Sequence, residues 1–316
     1  MNGIEMIVSG KKSARTAVAV AGLLAAGWAS SAVAADMVYG DSGQKLLDPT
    51  PVSTQSVDGL NFKAGVVSGK LGKWDNHMFL ASVAAPMPFY PSIGVQLDLG
   101  IGRFGSKYTS AASGLHIFKR DPSTGMLGIY GDWGYVDTEH GGRVGVEGAI
   151  YNGRWSLDAM AGVQFGQHFL TKFVDEVDLS YYFTDNFKGS VGHRLTSRGH
   201  VANIGFEFMP DLGANSGWSV YGEAEVGEDN YSGAWAGIRY SFGQSSASTL
   251  IERDRMADPI VRIPRNLASL TRCGTGTKLH PSSNGFGIHY TDNVCGSAAD
   301  LKKYGAPEGK LGPGGS

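Results

Sequence analysis

The sequence of 316 residues has few cysteines, no long apolar run and no excess of charge of either sign. Charged residues make up 18% of the chain and the formal net charge is −2, so nothing indicates a nucleic-acid partner. No segment has the roughly 20 consecutive apolar residues that a transmembrane helix needs. These shortages argue against a nucleic-acid-binding protein and against a helical membrane protein.

Glycine, by contrast, is abundant, at 47 residues. This is about twice its usual share. There is no collagen-like period, and aromatic residues make up 10% of the chain. Much glycine together with many aromatic side chains is typical of closely packed strands that curve into a barrel.

The N-terminus has the pattern of a secretory signal peptide. Lys11, Lys12 and Arg15 precede an uncharged run to Ala29, and small residues follow up to Ala34. A buried helix is the alternative, but a positive region, a short apolar core and an Ala-x-Ala site favour export. We therefore predict a signal peptide over residues 1–35, cleaved after Ala34 or Ala35.

The rest of the chain divides into a periplasmic linker (36–60), an alternating region (61–242) and an irregular periplasmic tail (243–316). In the segment 155–165, for example, every odd position is apolar, and the positions between them hold Ser156, Asp158, Met160, Gly162 and Gln164. Period-2 alternation of this kind indicates strands, and Asn152-Gly153 is a typical hairpin turn. The sequence predicts an all-β, antiparallel transmembrane β-barrel of about twelve strands, within a range of ten to fourteen. The predicted strands are 61–70, 77–85, 92–103, 112–120, 125–136, 141–151, 154–165, 174–183, 187–196, 199–209, 216–226 and 232–242.

Aromatic positions favour a membrane barrel over a soluble sandwich. One predicted girdle contains Trp155, Tyr181, Phe183, Phe187, Phe208, Trp218 and Phe242, and the other contains Trp74, Phe104, Trp133, Tyr135, Phe165 and Tyr231. Two girdles that flank an apolar band are what the two interfaces of a bilayer favour.

Two segments resemble those of porin-like outer-membrane barrels of Gram-negative bacteria. The stretch 178–187 resembles their aromatic hairpin, and Gly237-Ile-Arg-Tyr240-Ser-Phe242 resembles their terminal insertion signal. The resemblance covers 61–242 and implies an outer-membrane location, insertion by the barrel-assembly machinery and contact with lipopolysaccharide. An even strand number then predicts that both termini are periplasmic. The long tail after Phe242 departs from the family pattern, in which the insertion signal ends the chain.

The inward face of the predicted barrel carries nine acidic and four basic residues. They are Asp98, Asp132, Glu147, Asp158, Glu176, Asp178, Glu207, Glu223 and Glu225 with Arg143, Lys188, Arg194 and Arg239. The excess of acids predicts an acidic lumen that small cations enter, if the lumen is open. A plugged interior with paired charges is the equal alternative, because twelve strands lie between the filled and the open barrels.

A group at the outer rim raises the question of an enzyme. Asp175, His193 and His200 are predicted to face outward beside Ser197, the residue types of a lipid esterase or deacylase. No oxyanion hole is evident, and contact with lipopolysaccharide headgroups is the favoured interpretation. We therefore predict no enzyme activity, no catalytic residue and no cofactor.

In the tail, an even pair of cysteines in an exported chain predicts a disulfide between Cys273 and Cys295. Zinc binding with His280 and His289 is the weaker alternative, because the spacing matches no common site, so we predict no metal. A short helix is expected at 251–258, where Pro259 ends it. The sequence as a whole predicts a porin-like channel or structural barrel; the alternatives are a surface-binding or adhesion barrel and, third, the rim esterase.

Overall fold

A computed structural model describes residues 55–72, 74–105, 108–136, 139–166, 171–196, 199–212, 217–228, 231–245, 247–257 and 259–271. Beyond residue 268 it describes the backbone alone, which includes 278–281 and 288–292. All of these residues belong to one compact unit, Ser53–Ser316. The predicted signal peptide and the linker up to residue 54 lie outside the described residues.

The described chain is dominated by long strands. They are β1 (Asn61–Leu71), β2 (Trp74–Met87), β3 (Tyr90–Phe104), β4 (Tyr108–Asp121), β5 (Gly125–Val136), β6 (Glu139–Asn152), β7 (Trp155–Gly166), β8 (Lys172–Thr184), β9 (Phe187–Thr196), β10 (Gly199–Phe208), β11 (Trp218–Gly227) and β12 (Tyr231–Gly243). Two helices follow, α1 (Leu250–Met256) and α2 (Ile263–Thr271), and then the short strands β13 (Lys278–Pro281) and β14 (Ile288–Asp292).

The first twelve strands form a closed barrel in which each strand is antiparallel to its neighbours. Closure is made by β1 and β12, which pair along their full length from Asn61 with Gly243 to Leu71 with Gly233. The predicted all-β fold and strand number are confirmed. We call the end of the barrel where β1 begins and β12 ends the terminal end, and the opposite end, which holds Leu71 and Val136, the loop end.

The outer face of the barrel is apolar. Val66, Ile101, Ile129, Ile204 and Ile238 are between 46% and 62% exposed. A closed band of such side chains needs a bilayer to cover it. The chain therefore has the architecture of a porin-like outer-membrane β-barrel.

Aromatic rings line the terminal end as the girdle prediction requires. Phe62 stacks on Phe242 at 5.3 Å between ring centroids, and Trp155 lies 4.6 Å from Tyr181. At the loop end the prediction is wrong for Trp74, Phe104 and Tyr231, which point inward. Phe104 is 1% exposed within an apolar cluster on which Trp74 packs, and the Tyr231 hydroxyl donates to Glu225. Each occupies an inward position of its strand, so its parity overrides its place near the rim.

The segment after β12 folds back into the barrel. At the terminal end, the amides of Leu250 and Ile251 donate to Asn186 Oδ1 and to the Asp185 carbonyl at 3.0 and 3.1 Å. Further along, Ile263 and Leu267 of α2 are fully buried in the lumen. The sequence-based division treats 243–316 as a tail separate from the barrel, whereas residues 250–271 occupy the lumen. We call these residues the lumen segment.

Local sequence explains the two helices. Thr249 caps α1 and Glu252 returns the contact to the amide of Thr249, which completes a capping box. The predicted short helix at 251–258 thus appears as α1. Helix α2 was not predicted; Pro264 is its second residue, where a proline needs no amide hydrogen bond. No helix in the described part of the chain is long and apolar enough to cross a membrane.

The end of the predicted linker also enters the barrel. Val57 is fully buried against inward-facing Phe118 and Ala84, and Ser56 Oγ accepts from the Arg120 amide at 2.9 Å. The amide of Asp58 donates to the carbonyl of Met256, which joins the linker to α1 at 2.8 Å. The terminal end of the barrel is therefore occupied both by the segment that precedes β1 and by the segment that follows β12.

Candidate functional site

The candidate site is the occupied lumen. The structure places all thirteen predicted lumen residues on the inner face of the barrel. Nine of them are at most 7% exposed: Asp98, Asp132, Arg143, Glu147, Glu176, Asp178, Arg194, Glu207 and Glu225. The other four, Asp158, Lys188, Glu223 and Arg239, line a remaining cavity.

Arg143 on β6 is the centre of the strand-borne ion pairs. Its Nη2 donates to Asp132 Oδ2 at 2.6 Å and its Nη1 donates to Glu176. The hydroxyl of Tyr130 donates to Asp132 as well, at 2.5 Å. These groups are buried, and a buried charge is tolerated only when partners of this kind replace its water.

Arg262, just before α2, joins the same network from the tail. Its Nη1 donates to Glu176 Oε2 at 2.9 Å, and its Nε lies 3.5 Å from Glu147 Oε2. Its carbonyl accepts from Arg143 Nη2 at 3.1 Å. Arg262 is 1% exposed, so the lumen segment supplies a cation to carboxylates that β6 and β8 point inward.

Arg265 and Asn266 complete the contacts of α2. Arg265 Nη2 donates to Glu223 Oε2 at 2.8 Å and to Asp178 Oδ1 at 3.2 Å. Asn266 Nδ2 donates to Asp132 Oδ1 at 2.9 Å. Together with Arg262, these two residues connect the lumen segment to carboxylates on strands β5, β6, β8 and β11.

A second network lies nearer the terminal end. Asp254 of α1 pairs with Lys188 and accepts from the Tyr182 hydroxyl at 2.7 Å. Lys188 is also 3.4 Å from Glu207, which Arg239 Nε contacts at 2.9 Å. Both helices of the lumen segment are thus tied to inward charges of the strands.

Several buried polar residues of the lumen were missed from the sequence. His116 Nδ1 is 2.8 Å from Glu147 Oε1 and its Nε2 is 3.1 Å from Asp98 Oδ2, and Gln96 Nε2 donates to Asp98 at 2.8 Å. Strand parity could have found His116 and Gln96, since both occupy inward positions. No parity signal could have found Arg262 or Arg265, because the alternating pattern stops at Phe242.

These additions change the charge balance of the lumen. Lys63 and Arg120 also occupy inward positions of β1 and β4, and Arg262 and Arg265 enter from the tail. The acidic excess expected from the strands is therefore largely offset while the lumen segment is in place. The acidic lumen stays a prediction for a barrel without it.

Between the described strands and the lumen segment lies a cavity of about 150 Å³, on the terminal-end side of α2. Lys63, Tyr151 and Lys188 line it from the strands, and Pro259 and Val261 line it from the lumen segment. About 10–15 Å³ of such space accommodates one water molecule, so this cavity has room for several waters beside the lumen segment.

At the loop end the structure brings together the predicted acid and histidines. His193 Nε2 is 2.9 Å from His200 Nδ1, and His193 Nδ1 is 3.8 Å from Asp175 Oδ1. The second distance is longer than the hydrogen bond by which an acid orients a catalytic histidine. Ser197 lies outside the described residues.

The insertion signal and the tail complete the predicted positions. Tyr240 and Phe242 stack at 5.8 Å on the outer face at the terminal end, and Gly237 faces inward beside Tyr221 and the Val66 carbonyl. Cys273 and Cys295 lie outside the described residues, so their disulfide stays a prediction. The backbones of β13 and β14 pair antiparallel, with His280 opposite His289.

No protein-family model matches the chain, and no curated protein matches it either. Solved barrels are similar in shape. An outer-membrane channel from Pseudomonas putida F1 has 9% identity and a TM-score of 0.46 over 61% of this chain and 99% of its own. The translocator domain of the autotransporter NalP from Neisseria meningitidis has 14% identity and a TM-score of 0.42 over 73% and 97%. The outer-membrane phospholipase A of Escherichia coli has 12% identity and a TM-score of 0.40 over 58% and 92%. These identities and TM-scores do not distinguish a channel from a translocator or a phospholipase.

Proposed function

We propose that the protein is a porin-like channel of the outer membrane that its own lumen segment holds closed. A twelve-stranded barrel is wider than the eight-stranded barrels whose interior strand side chains fill. Here α2 fills the difference, and the inner face is shaped for it. A Cβ on Gly100 or Gly114 would approach Ile263 to 3.1 or 3.0 Å, so glycine leaves the room that Ile263 occupies.

The observation that carries the proposal is the pairing of Arg262 and Arg265 with strand carboxylates. Without these two cations, Glu147, Glu176, Asp178 and Glu223 would face water in a low-dielectric sleeve. A lumen with that lining has a negative potential and admits cations more readily than anions. The open state is therefore a cation-preferring pore, and the closed state is the one in which the segment neutralises it.

The location follows from the same proposal. An exported barrel with an apolar outer band and a terminal aromatic strand is inserted by the barrel-assembly machinery, and its rim contacts lipopolysaccharide. His193 and His200 occupy outward positions at the loop end and are suited to phosphate headgroups there. An even strand number puts the start of β1 and the end of β12 on the same side, and in outer-membrane barrels that side is the periplasm, so we place the terminal end there.

We assign no catalytic role to the rim histidines. The pair His193 and His200 contact each other, and the 3.8 Å gap to Asp175 leaves the acid without the orienting role of a triad member. Contact with headgroups needs no such alignment. Labelling of Ser197 by a serine-reactive probe would contradict this assignment.

Conductance in planar bilayers tests the channel with the full chain. Replacing Arg262 and Arg265 together by Glu places like charges against Glu176 and Asp178, which should detach α2 from the inner face and open a cation-selective pore. The unaltered protein should show little current. Selectivity of the variant should weaken in 1 M salt, where the Debye length is about 3 Å.

The matched control replaces Lys70 and Arg154 by Glu. Their side chains are 66% and 44% exposed, so the charge change is the same but lies outside the lumen. This control should stay closed. If the Arg262 and Arg265 variant keeps its heat-modifiable mobility and yet carries no current, the barrel is structural and the channel proposal is wrong.

A further inference from the structure

The lumen segment runs in one direction through the barrel, and its contacts with strand β6 show this direction. Arg255 lies over the Tyr151 ring at 5.0 Å and donates to the Gly153 carbonyl, at the terminal end of this strand. Arg262 contacts Glu147 and then Arg143, nearer the middle. As the tail advances along the sequence, its partners on β6 advance toward the loop end.

The contact after these extends the path to the loop end itself. Asn266 Nδ2 lies 3.4 Å from the carbonyl of Gly141, the third residue of β6 from its loop-end start at Glu139. Helix α2 continues to Thr271, five residues beyond Asn266. At about 1.5 Å per residue this is a further 7 to 8 Å, enough to reach the rim.

The apolar packing of α2 agrees with this direction. Leu267 and Ala268 belong to a buried cluster that includes Leu71, Phe104 and Val136. These three are the last residues of β1, β3 and β5, all at the loop end. The start of the lumen segment is held at the opposite end, where Leu250 and Ile251 contact the turn at Asp185 and Asn186.

The terminal end is already occupied by α1 together with Ser56 and Val57. Helix α2 leads away from that end, toward the loop end. The path of the described segment therefore runs forward to the loop end.

We propose that the barrel carries its own C-terminal region across the membrane and displays residues 272–316 at the loop end. This inference goes beyond the channel, since it holds even if the lumen never opens. It puts Cys273, Cys295 and the β13–β14 hairpin on the side opposite to Asn61 and Gly243. It also replaces the expectation that both chain termini are periplasmic. With the terminal end in the periplasm, as proposed above, the displayed region lies outside the cell.

The test determines on which side of the membrane the tail lies, with one residue at each end of the barrel as a reference. In the full chain with Cys273 and Cys295 replaced by Ser, single cysteines are placed by Ser123→Cys, Thr171→Cys or Ser316→Cys. Ser123 is exposed in the turn between β4 and β5 at the terminal end, and Thr171 is exposed before β8 at the loop end. Intact cells are treated with a polymer-linked maleimide too large to cross the outer membrane.

The Ser316→Cys variant should be labelled in intact cells as fully as Thr171→Cys, whereas Ser123→Cys should be labelled only after the cells are permeabilised. Labelling of Ser316→Cys that matches Ser123→Cys, or that needs permeabilisation in any degree beyond Thr171→Cys, overturns the proposal. Heat-modifiable mobility of each variant verifies that the barrel has folded.

A second measurement leaves both natural cysteines in place. An epitope is appended after Ser316 of the unaltered chain, and antibody binding to intact cells is compared with binding to permeabilised cells. Display predicts equal binding in the two preparations, and loss of binding in intact cells overturns it. The channel proposal fails separately, by absence of current in the Arg262 and Arg265 variant.

Discussion

The twelve strands and the lumen segment are held in place by different interactions. Each of the twelve barrel strands pairs through its main chain with two neighbours over most of its length, and closure leaves no unpaired edge. The lumen segment has almost none to the strands and is held by guanidinium–carboxylate pairs and by Ile263 and Leu267. The strands can therefore keep their structure when the segment is disturbed, as a barrel requires if its lumen segment is to detach from the inner face.

The largest effect expected from this difference comes from removing the carboxylates that hold the segment. Replacing Asp158, Glu176 and Asp178 by their amides takes one anionic partner, Glu176, from Arg143, Arg262 and Arg265, and a second, Asp178, from Arg265. Breaking one buried pair from one side costs about 3–5 kcal/mol. The segment should become accessible to protease while the barrel remains heat-modifiable.

The control for this triple variant is Asp185→Asn, which removes the partner of Arg154 in an exposed turn. An exposed pair contributes only about 0–1 kcal/mol, so digestion of the segment should be unchanged. If the triple variant resists protease as well as the control does, ion pairs do not hold the segment and the contrast between the two regions fails.

A smaller effect, confined to the segment, is expected from Leu267→Ala. Leu267 is fully buried, and large-to-small substitutions at such positions cost about 2–5 kcal/mol. Val146→Ala is the matched truncation on the outer face, where Val146 is 49% exposed and faces lipid. Hydrogen exchange of α2 should rise in the first variant and stay unchanged in the second, and equal rates in both would contradict the packing described here.

The difference between the strands and the lumen segment also explains which parts of the structure could be predicted from the sequence. Strands such as β7 face lipid on one side and the lumen on the other, so their alternation reveals both the fold and the inward position of residues such as Asp158 and Glu176. The segment is surrounded by protein on all sides and has no alternation. In the sequence, Arg262 and Arg265 resemble ordinary solvated charges. Their burial depends on carboxylates of strands that lie more than thirty residues away along the chain.

The smallest expected effect concerns the start of the segment. Burial raises the pKa of Glu252. Hydrogen bonds from the amides and hydroxyls of Ser248 and Thr249 lower this pKa by more than burial raises it, so the net shift is downward. Ser248 and Thr249 donate to Glu252 Oε2 from their amides at 2.8 and 3.0 Å. A group with a lowered pKa contributes stability that is present above its ordinary pKa of about 4.3 and is lost as the pH falls through the folded-state value.

Acid should therefore loosen α1 before it affects the strands, since main-chain pairing does not titrate. Protease digestion near α1 should rise as the pH is lowered below about 4 in the unaltered protein. Glu252→Gln should abolish most of that dependence, whereas Thr249→Ala should loosen α1 at every pH by about 1 kcal/mol while leaving the pH dependence largely in place. If Glu252→Gln keeps the full acid sensitivity, the carboxylates of the lumen control the segment from its first residue, and α1 is not an independent anchor.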